Sequence, residues 1–142
     1  MILAILITSF TFVLSGALHY VMVSSAIRHL GAATYHRGCK LVIALCVSGI
    51  AHIGAVSLYA LAYGAGRALG IGDLRGETPA TAMDVFYFSL VSYTSLGLGD
   101  IVPTGHLRLI AGVEALNGFL LISCSAAMLF LFIRDGDKAK SP

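Results

Sequence analysis

The sequence predicts an all-α membrane protein with three spanning helices and a fourth, shorter helix that enters the bilayer without crossing it. Hydrophobic residues make up 58% of the 142 residues and charged residues 11%, and the mean hydropathy is +0.90. Soluble proteins carry about 25% charged residues. Among the three longest apolar segments, Glu114 is the one charged residue; these segments are Met1 to Ile27, Leu41 to Gly66 and Leu109 to Ile133. Each exceeds the ~20 residues that cross a bilayer as a helix.

A fourth apolar segment, Val85 to Gly99, is too short to cross a bilayer and ends in glycines. It follows Thr81 and Asp84, a pair whose spacing is typical of a helix start, because a hydroxyl and an acid three residues later satisfy free backbone amides. We therefore expect a helix from about Ala82 to Thr94 that descends partway into the membrane. Non-helical backbone at that depth requires cover by protein or water.

The residues after this short helix carry the most specific pattern in the chain. Two glycines alternate with leucines, and an acid and a proline follow, in the order Ser95, Leu96, Gly97, Leu98, Gly99, Asp100 and Pro103. This pattern resembles the selectivity filter of potassium channels, and residues from Phe86 to Ile133 are similar to small bacterial members of the pore-loop channel family. The resemblance implies a homotetramer in which Ser95 to Gly99 bind the permeant ion, supported by Thr94, Asp100 and Glu114.

The residue types fit that chemistry. A ring of backbone carbonyls can replace the water around potassium without adding fixed charge. Glycine at positions 97 and 99 allows backbone torsions that residues with a β-carbon disfavour, and the Ser95 hydroxyl can add an innermost ligand. The alternative is an ordinary glycine-rich turn between two helices. Leu96 and Leu98 replace the usual valine and tyrosine, so the bracing of the filter must differ here.

Three functions follow from this interpretation. The first is a potassium-type cation channel, the second a weakly selective sodium and potassium channel, and the third a non-conducting membrane subunit of a larger channel or transporter. No enzymatic constellation is found in the sequence, and we expect no cofactor, no metal other than a monovalent cation at the filter, and no nucleic-acid partner. The expected partners are the bilayer, K⁺ or Na⁺, and further copies of the chain.

The last apolar segment contains two further candidates. Glu114 is expected behind the filter against the short helix, with Ser92, Tyr93, Thr94 or filter amides as donors; a solvated position near the interface is the alternative. Gly118 is either a gating hinge or a close-packing position. Four residues at helical spacing suggest the wall of an inner cavity: Asn117, Leu121, Ser125 and Met128.

Two histidines lie inside apolar segments. His19 and His52 could be metal or haem ligands, but neither has a second ligand at helical spacing. Hydrogen bonding between helices is the preferred interpretation.

Three parts of the chain are expected to differ in role. Residues 1–40 form a peripheral N-terminal helix and linker, residues 41–133 the pore module, and residues 134–142 a short tail. The linker and the tail contain the basic residues Arg28, Arg37, Lys40, Arg134, Lys138 and Lys140. Because basic loops remain in the cytoplasm, we expect the C-terminus there and the N-terminus outside, in a bacterial inner membrane.

Overall fold

The computed structural model describes residues 1–138. Its elements, in chain order, are α1 (Ile2–Ala32), α2 (Arg37–Ala68), β1 (Leu74–Arg75), α3 (Ala82–Tyr93), β2 (Val102–Pro103) and α4 (Leu107–Lys138). Three helices are long and apolar enough to cross a membrane, namely Ile2–Ala32, Arg37–Ala68 and Leu107–Phe132, which confirms the predicted spans. The predicted tail begins inside α4, and residues 139–142 of it lie outside the described residues.

In the first helix, polar side chains are buried and large apolar side chains are exposed, as is typical of a membrane helix. Its buried residues recur at three- and four-residue steps over most of its length and include Thr8, Thr11, Ser15 and His19. Large apolar side chains on the same helix are exposed, among them Phe10 at 69% and Val13 at 68%. Such an arrangement is costly in water and favourable in lipid, where polar groups bind between helices and apolar groups meet acyl chains. The buried stripe of α1 packs against α2 and α4.

The short helix α3 begins as the sequence predicts. The Thr81 hydroxyl accepts from the Asp84 amide at 3.3 Å, and an Asp84 carboxylate oxygen accepts from the Thr81 amide at 2.8 Å. This reciprocal pair satisfies two amides that helix geometry leaves free. The helix ends at Tyr93, one residue before the predicted end, and Thr94 is its C-cap.

The core holds α3 between α2 and α4. One apolar cluster joins these three helices to β1 through Tyr59, Tyr63, Leu74, Val85, Phe88, Leu107 and Ile110. Small residues on α2, such as Ala51 and Ala55, are fully buried and allow neighbouring helices to approach closely. The position of α3 is therefore set by two of the long helices.

A two-stranded sheet, which the all-α prediction lacks, joins the loop between α2 and α3 to the segment between α3 and α4. Strands β1 and β2 pair antiparallel, with Leu74 opposite Pro103 and Arg75 opposite Val102. At the end of α2, the Arg67 guanidinium donates to Asp73 at 2.7 Å and to the Ala80 carbonyl at 3.1 Å. The loop is thus tied both to the start of α3 and to the segment that follows Asp100.

Acid is expected to weaken this loop through Asp73. The Leu74 amide, followed by the Arg67 guanidinium, lowers the pKa of Asp73 below its ordinary value of 3.8. A carboxylate with a lowered pKa stabilises the fold fully above the ordinary value, and this contribution disappears as the pH falls through the lowered one. We expect the Asp73→Asn variant to show a flatter dependence of melting temperature on pH below about 4 than wild type. Glu77→Gln, in the same loop, is the control; equal slopes in Asp73→Asn and wild type would contradict the prediction.

Candidate functional site

From Ser95 to Gly99, the backbone alternates between left-handed conformations, with positive φ, and conformations with negative φ. Ser95, Gly97 and Gly99 have positive φ values of 58°, 56° and 80°, whereas Leu96 and Leu98 between them do not. The left-handed region costs residues with a side chain about 1–2 kcal/mol, while glycine enters it freely. When the hand alternates at successive residues, neighbouring carbonyls turn toward the same side of the chain instead of opposite sides. The backbone conformation expected at both glycines is therefore present.

The amides at the start of this segment are used within the chain. The Ser95 amide donates to the Ser92 carbonyl at 2.9 Å, and the Leu96 amide donates to the Val91 carbonyl at 3.0 Å. The Thr94 hydroxyl donates to the Leu90 carbonyl at 2.9 Å, so Thr94 closes the end of α3. Among the backbone hydrogen bonds of the described residues, none ends at a carbonyl of residues 95–99, so these carbonyls can meet a ligand.

The same segment has open space around it within one chain. A β-carbon added at Gly97 or Gly99 would meet no atom within 4 Å. Leu96 and Leu98 are 64% and 58% exposed, and Met83 near the start of α3 is 73% exposed. Glycine is therefore required here by torsion and not by space, and the exposed leucines form a surface that other chains can cover.

The far end of the segment is fixed by a contact that sequence reasoning missed. The Tyr87 hydroxyl donates to an Asp100 carboxylate oxygen at 2.8 Å, and the other carboxylate oxygen accepts from the Ile101 amide at 3.0 Å. Tyr87 lies on α3, so this bond joins the middle of the short helix to the residue after Gly99. No spacing in the sequence pairs Tyr87 with Asp100, because 13 positions and the turn after α3 separate them.

Glu114 lies where the prediction put it, against α3, but with different donors. Its side chain is fully buried, which excludes the solvated alternative. The Tyr63 hydroxyl of α2 donates to Oε2 at 2.5 Å, and the Ser89 hydroxyl of α3 lies 2.5 Å from Oε1. The Ser89 hydroxyl is also 2.8 Å from the Val56 carbonyl. Ser92, Tyr93 and Thr94 were expected as donors; instead, Glu114 joins three helices through Tyr63 and Ser89.

Gly118 is a close-packing position. An added β-carbon would come within 1.9 Å of the Tyr93 carbonyl oxygen, so α4 and the end of α3 touch through backbone. Tyr93 is 1% exposed and is the last residue of α3. Packing at Gly118 therefore positions the residues that lead into Ser95; its role as a hinge stays a prediction.

The packing of a single chain does not support a cavity wall at Asn117 and Ser125, because both side chains are buried inside the chain's own helix bundle. The Asn117 amide donates to the Ser15 hydroxyl at 2.6 Å and to the Tyr59 hydroxyl at 3.1 Å. Leu121 packs against the cluster around Tyr93. The exposed face of α4 instead carries Leu116, Phe119, Leu120 and Ser123.

His19 and His52 are hydrogen bonded between helices, as preferred from the sequence. Nε2 of His19 lies 2.6 Å from the Ser125 hydroxyl, which is 3.1 Å from Nε2 of His52. Nδ1 of His52 lies 2.9 Å from the Tyr93 hydroxyl. Within residues 1–138, no group of three or more His, Cys, Asp or Glu side chains could hold a metal ion. Ligation at these histidines therefore has no support from the geometry.

Loss of the Tyr87 hydroxyl is expected to loosen the end of the segment next to Asp100. A hydrogen bond to a charged group is stronger than one between neutral groups, although water weakens it at an exposed site such as this one. If the segment selects ions, Tyr87→Phe should lower the ratio of potassium to sodium permeability, measured from reversal potentials. Asp100→Asn keeps an acceptor for Tyr87 and should have the smaller effect. Tyr20→Phe, at an exposed tyrosine of α1, is the control. An unchanged permeability ratio in Tyr87→Phe would show that the bond between Tyr87 and Asp100 does not contribute to selectivity.

Comparison with known proteins places these features in context. A family described as ion channel matches residues 51–135, more than half of the chain. A curated relative, the inward rectifier potassium channel Kirbac3.1 of Paramagnetospirillum magnetotacticum, is 32% identical over 76 residues. That match covers 52% of this chain and only 24% of the relative's length. No solved structure matches the chain.

Proposed function

Because this chain belongs to the ion channel family, we propose that four copies of it form a pore that conducts potassium ions past the carbonyls of Ser95 to Gly99. The family match confirms the resemblance seen in the sequence, and the family is one of channels and not of enzymes. With its three long apolar helices, the chain is a membrane protein. The pore, the ion and the number of subunits are what we propose.

The alternating backbone hand of residues 95–99 is the observation that carries the proposal. It turns successive carbonyls to one side, while the first amides are bound to α3. Carbonyl oxygens are weak enough ligands for ions to leave and numerous enough, in a ring, to replace water. One chain supplies one such row, so a closed ring needs several copies arranged around an axis.

The exposed surface of a single chain supports an assembly around this row. Residues 94–100 are exposed in one chain, and so is the α4 face with Leu116 and Phe119. We propose that neighbouring copies cover part of this surface and that the rest lines the ion path. In this arrangement the linker after α1 and the C-terminus face the cytoplasm, as the basic residues indicate.

Potassium is the first candidate because the relative from Paramagnetospirillum magnetotacticum is named as a potassium channel. A weakly selective pore is the second, and it is favoured by Leu98. This side chain is 58% exposed and has no polar atom with which to brace the filter. The Tyr87 hydroxyl is already bound to Asp100, and the Ser89 hydroxyl faces Glu114. A tyrosine placed at position 98 would therefore need a partner from a neighbouring chain.

The test is a bilayer recording of the purified protein under opposed potassium and sodium gradients, with cross-linking in mild detergent. We expect cross-linking to end at a tetramer and the reversal potential to lie near the potassium equilibrium value. Reversal near zero would favour the weakly selective pore. A tetramer without current would overturn conduction and favour a subunit of a larger complex, and a monomer or dimer that conducts would overturn the tetrameric pore.

A further inference from the structure

The four helices meet at a continuous hydrogen-bonded chain that the proposed ion path does not use. It runs from His19 on α1 through Ser125 on α4 and His52 on α2 to Tyr93 at the end of α3. The two imidazole rings are also in contact, with centroids 4.9 Å apart. Three members of this hydrogen-bonded chain are almost fully buried: His19 and Tyr93 are 1% exposed and Ser125 is 4% exposed. The hydrogen-bonded chain therefore lies inside the helix bundle.

Tyr93 is the member that touches the proposed filter region. It is the last residue of α3, and Ser95 begins the segment of alternating hand two positions later. Its carbonyl is packed against Gly118 and its hydroxyl is bound to His52. The backbone and the side chain of Tyr93 are therefore fixed by two different long helices.

We propose that His19, Ser125 and His52 are positioning residues for Tyr93, through which α1 controls the geometry at the start of residues 95–99. This rests on the proposed function, since the geometry in question is that of the ion path. It gives α1 a role within the pore module in place of the peripheral role expected from the sequence.

Because each member has a limited number of hydrogens, the direction of one bond in the hydrogen-bonded chain fixes the direction of the others. A neutral imidazole has one donor and one acceptor nitrogen, and a serine hydroxyl has one hydrogen. If Ser125 donates to His19, then His52 Nε2 donates to Ser125 and Tyr93 donates to His52. If the order is reversed, His52 Nδ1 donates to Tyr93. The direction of the bond at Tyr93 is thus set at Ser125, one helix away.

Adding one proton to either histidine leaves one possible direction for the bond between His52 and Tyr93. With a proton added to His52, both of its nitrogens donate, and the Tyr93 hydroxyl can only accept. With a proton added to His19, His19 donates to Ser125, Ser125 to His52 and His52 to Tyr93, so the result at Tyr93 is the same. The ionisable groups around the chain are His19 on α1, His52 and Tyr59 on α2, Tyr93 on α3 and Glu114 on α4; Tyr59 and Glu114 also act electrostatically on Tyr93. The added positive charge opposes the entry of cations into the nearby path.

A pH profile of the current tests the proposal with two pairs of matched variants. Because a buried imidazole resists protonation, the current is measured from about pH 8 down to about pH 4.5, below the range in which exposed histidine titrates, and we expect the wild-type current to fall at least about threefold. Ser125→Ala removes the bridging hydroxyl, whereas Ser57→Ala, on α2, removes a hydroxyl that makes an exposed hydrogen bond to the Ile53 carbonyl of its own helix. His19→Gln and His29→Gln form the second pair, since His29 is exposed on α1.

Because His52 contacts Tyr93 directly and can still take up a proton, we expect Ser125→Ala and His19→Gln to shift the midpoint of the profile, while the two controls keep the wild-type midpoint. A wild-type current that does not change with pH, or a wild-type profile in both Ser125→Ala and His19→Gln, overturns the proposal. Wild-type protein without current at any pH contradicts the proposed function instead. In that case ¹⁵N NMR spectra of the histidine rings test the hydrogen-bonded chain directly. Ser125→Ala must change the signals of both His19 and His52, and unchanged signals would show that Ser125 does not bridge the two histidines.

Discussion

Replacement of Gly97 or Gly99 by alanine is expected to abolish conduction while the protein still folds, inserts and assembles. Both residues have positive φ, which costs alanine about 1–2 kcal/mol per chain, or about 4–8 kcal/mol summed over the four chains of the proposed tetramer. The filter can avoid this cost only by changing its torsions, which turns carbonyls out of the row. Each 1.4 kcal/mol lowers the population of the intact carbonyl row about tenfold, so the mean current should fall by more than about tenfold.

Gly64→Ala is the matched control for this experiment. An added β-carbon at Gly64, as at Gly97 and Gly99, would meet no atom within 4 Å, but Gly64 lies inside α2 without a positive φ. The same chemical change should therefore leave current intact there. Normal current in Gly97→Ala or Gly99→Ala would show that residues 95–99 are not the ion path. Loss of current in Gly64→Ala as well would show that the assay reports general damage.

Features that depend on neighbouring residues could be predicted from the sequence. The start of α3 follows from Thr81 and Asp84, because a capping pair needs only local backbone. The positive φ at Gly97 and Gly99 follows in the same way, since glycine is the residue that tolerates it. The three long helices follow from length and composition.

The rotation of each helix could not be predicted, because packing between helices decides it. Asn117, Leu121 and Ser125 do share a face of α4, as their spacing indicates, but that face meets α1, α2 and α3. In a membrane, apolar side chains suit both the lipid and the protein interior, so their spacing along a helix does not show which face is buried. The polar stripe of α1, with Ser15 and His19, was the signal that could have shown what Asn117 and Ser125 face.

The donors to Glu114 were missed for the same reason. Ser92, Tyr93 and Thr94 lie nearer in sequence to the filter, but the face of α3 that meets Glu114 carries Ser89. Tyr63 comes from α2, far along the chain, and nothing in a single sequence pairs it with Glu114. The depth of Glu114 in an apolar segment was enough to predict that it has partners, though not which ones.

Glu114→Ala is expected to weaken the chain's own packing as well as conduction. The carboxyl is fully buried, and its removal takes away the oxygen that accepts from the Tyr63 hydroxyl in the apolar core beside Phe88. An unsatisfied buried polar group costs about 1–3 kcal/mol, and the vacated volume adds to this. We expect a lower melting temperature in detergent and loss of tetramer on cross-linking. Glu77→Ala, at an exposed glutamate of the loop between α2 and α3, is the same change without these contacts and should behave as wild type.

Glu114→Gln separates hydrogen bonding from charge at this position. The Ser89 hydroxyl has one hydrogen but lies near two oxygens, those of Val56 at 2.8 Å and Glu114 at 2.5 Å. A glutamine amide can donate to Ser89 while Ser89 donates to Val56, and its carbonyl can accept from Tyr63, so every group remains bound. We therefore expect Glu114→Gln to keep both the melting temperature and the assembly of wild type. If Glu114→Gln is as unstable as Glu114→Ala, the carboxyl acts through charge and not through the bonds to Tyr63 and Ser89; if neither variant differs from wild type, those bonds do not hold α3 in place.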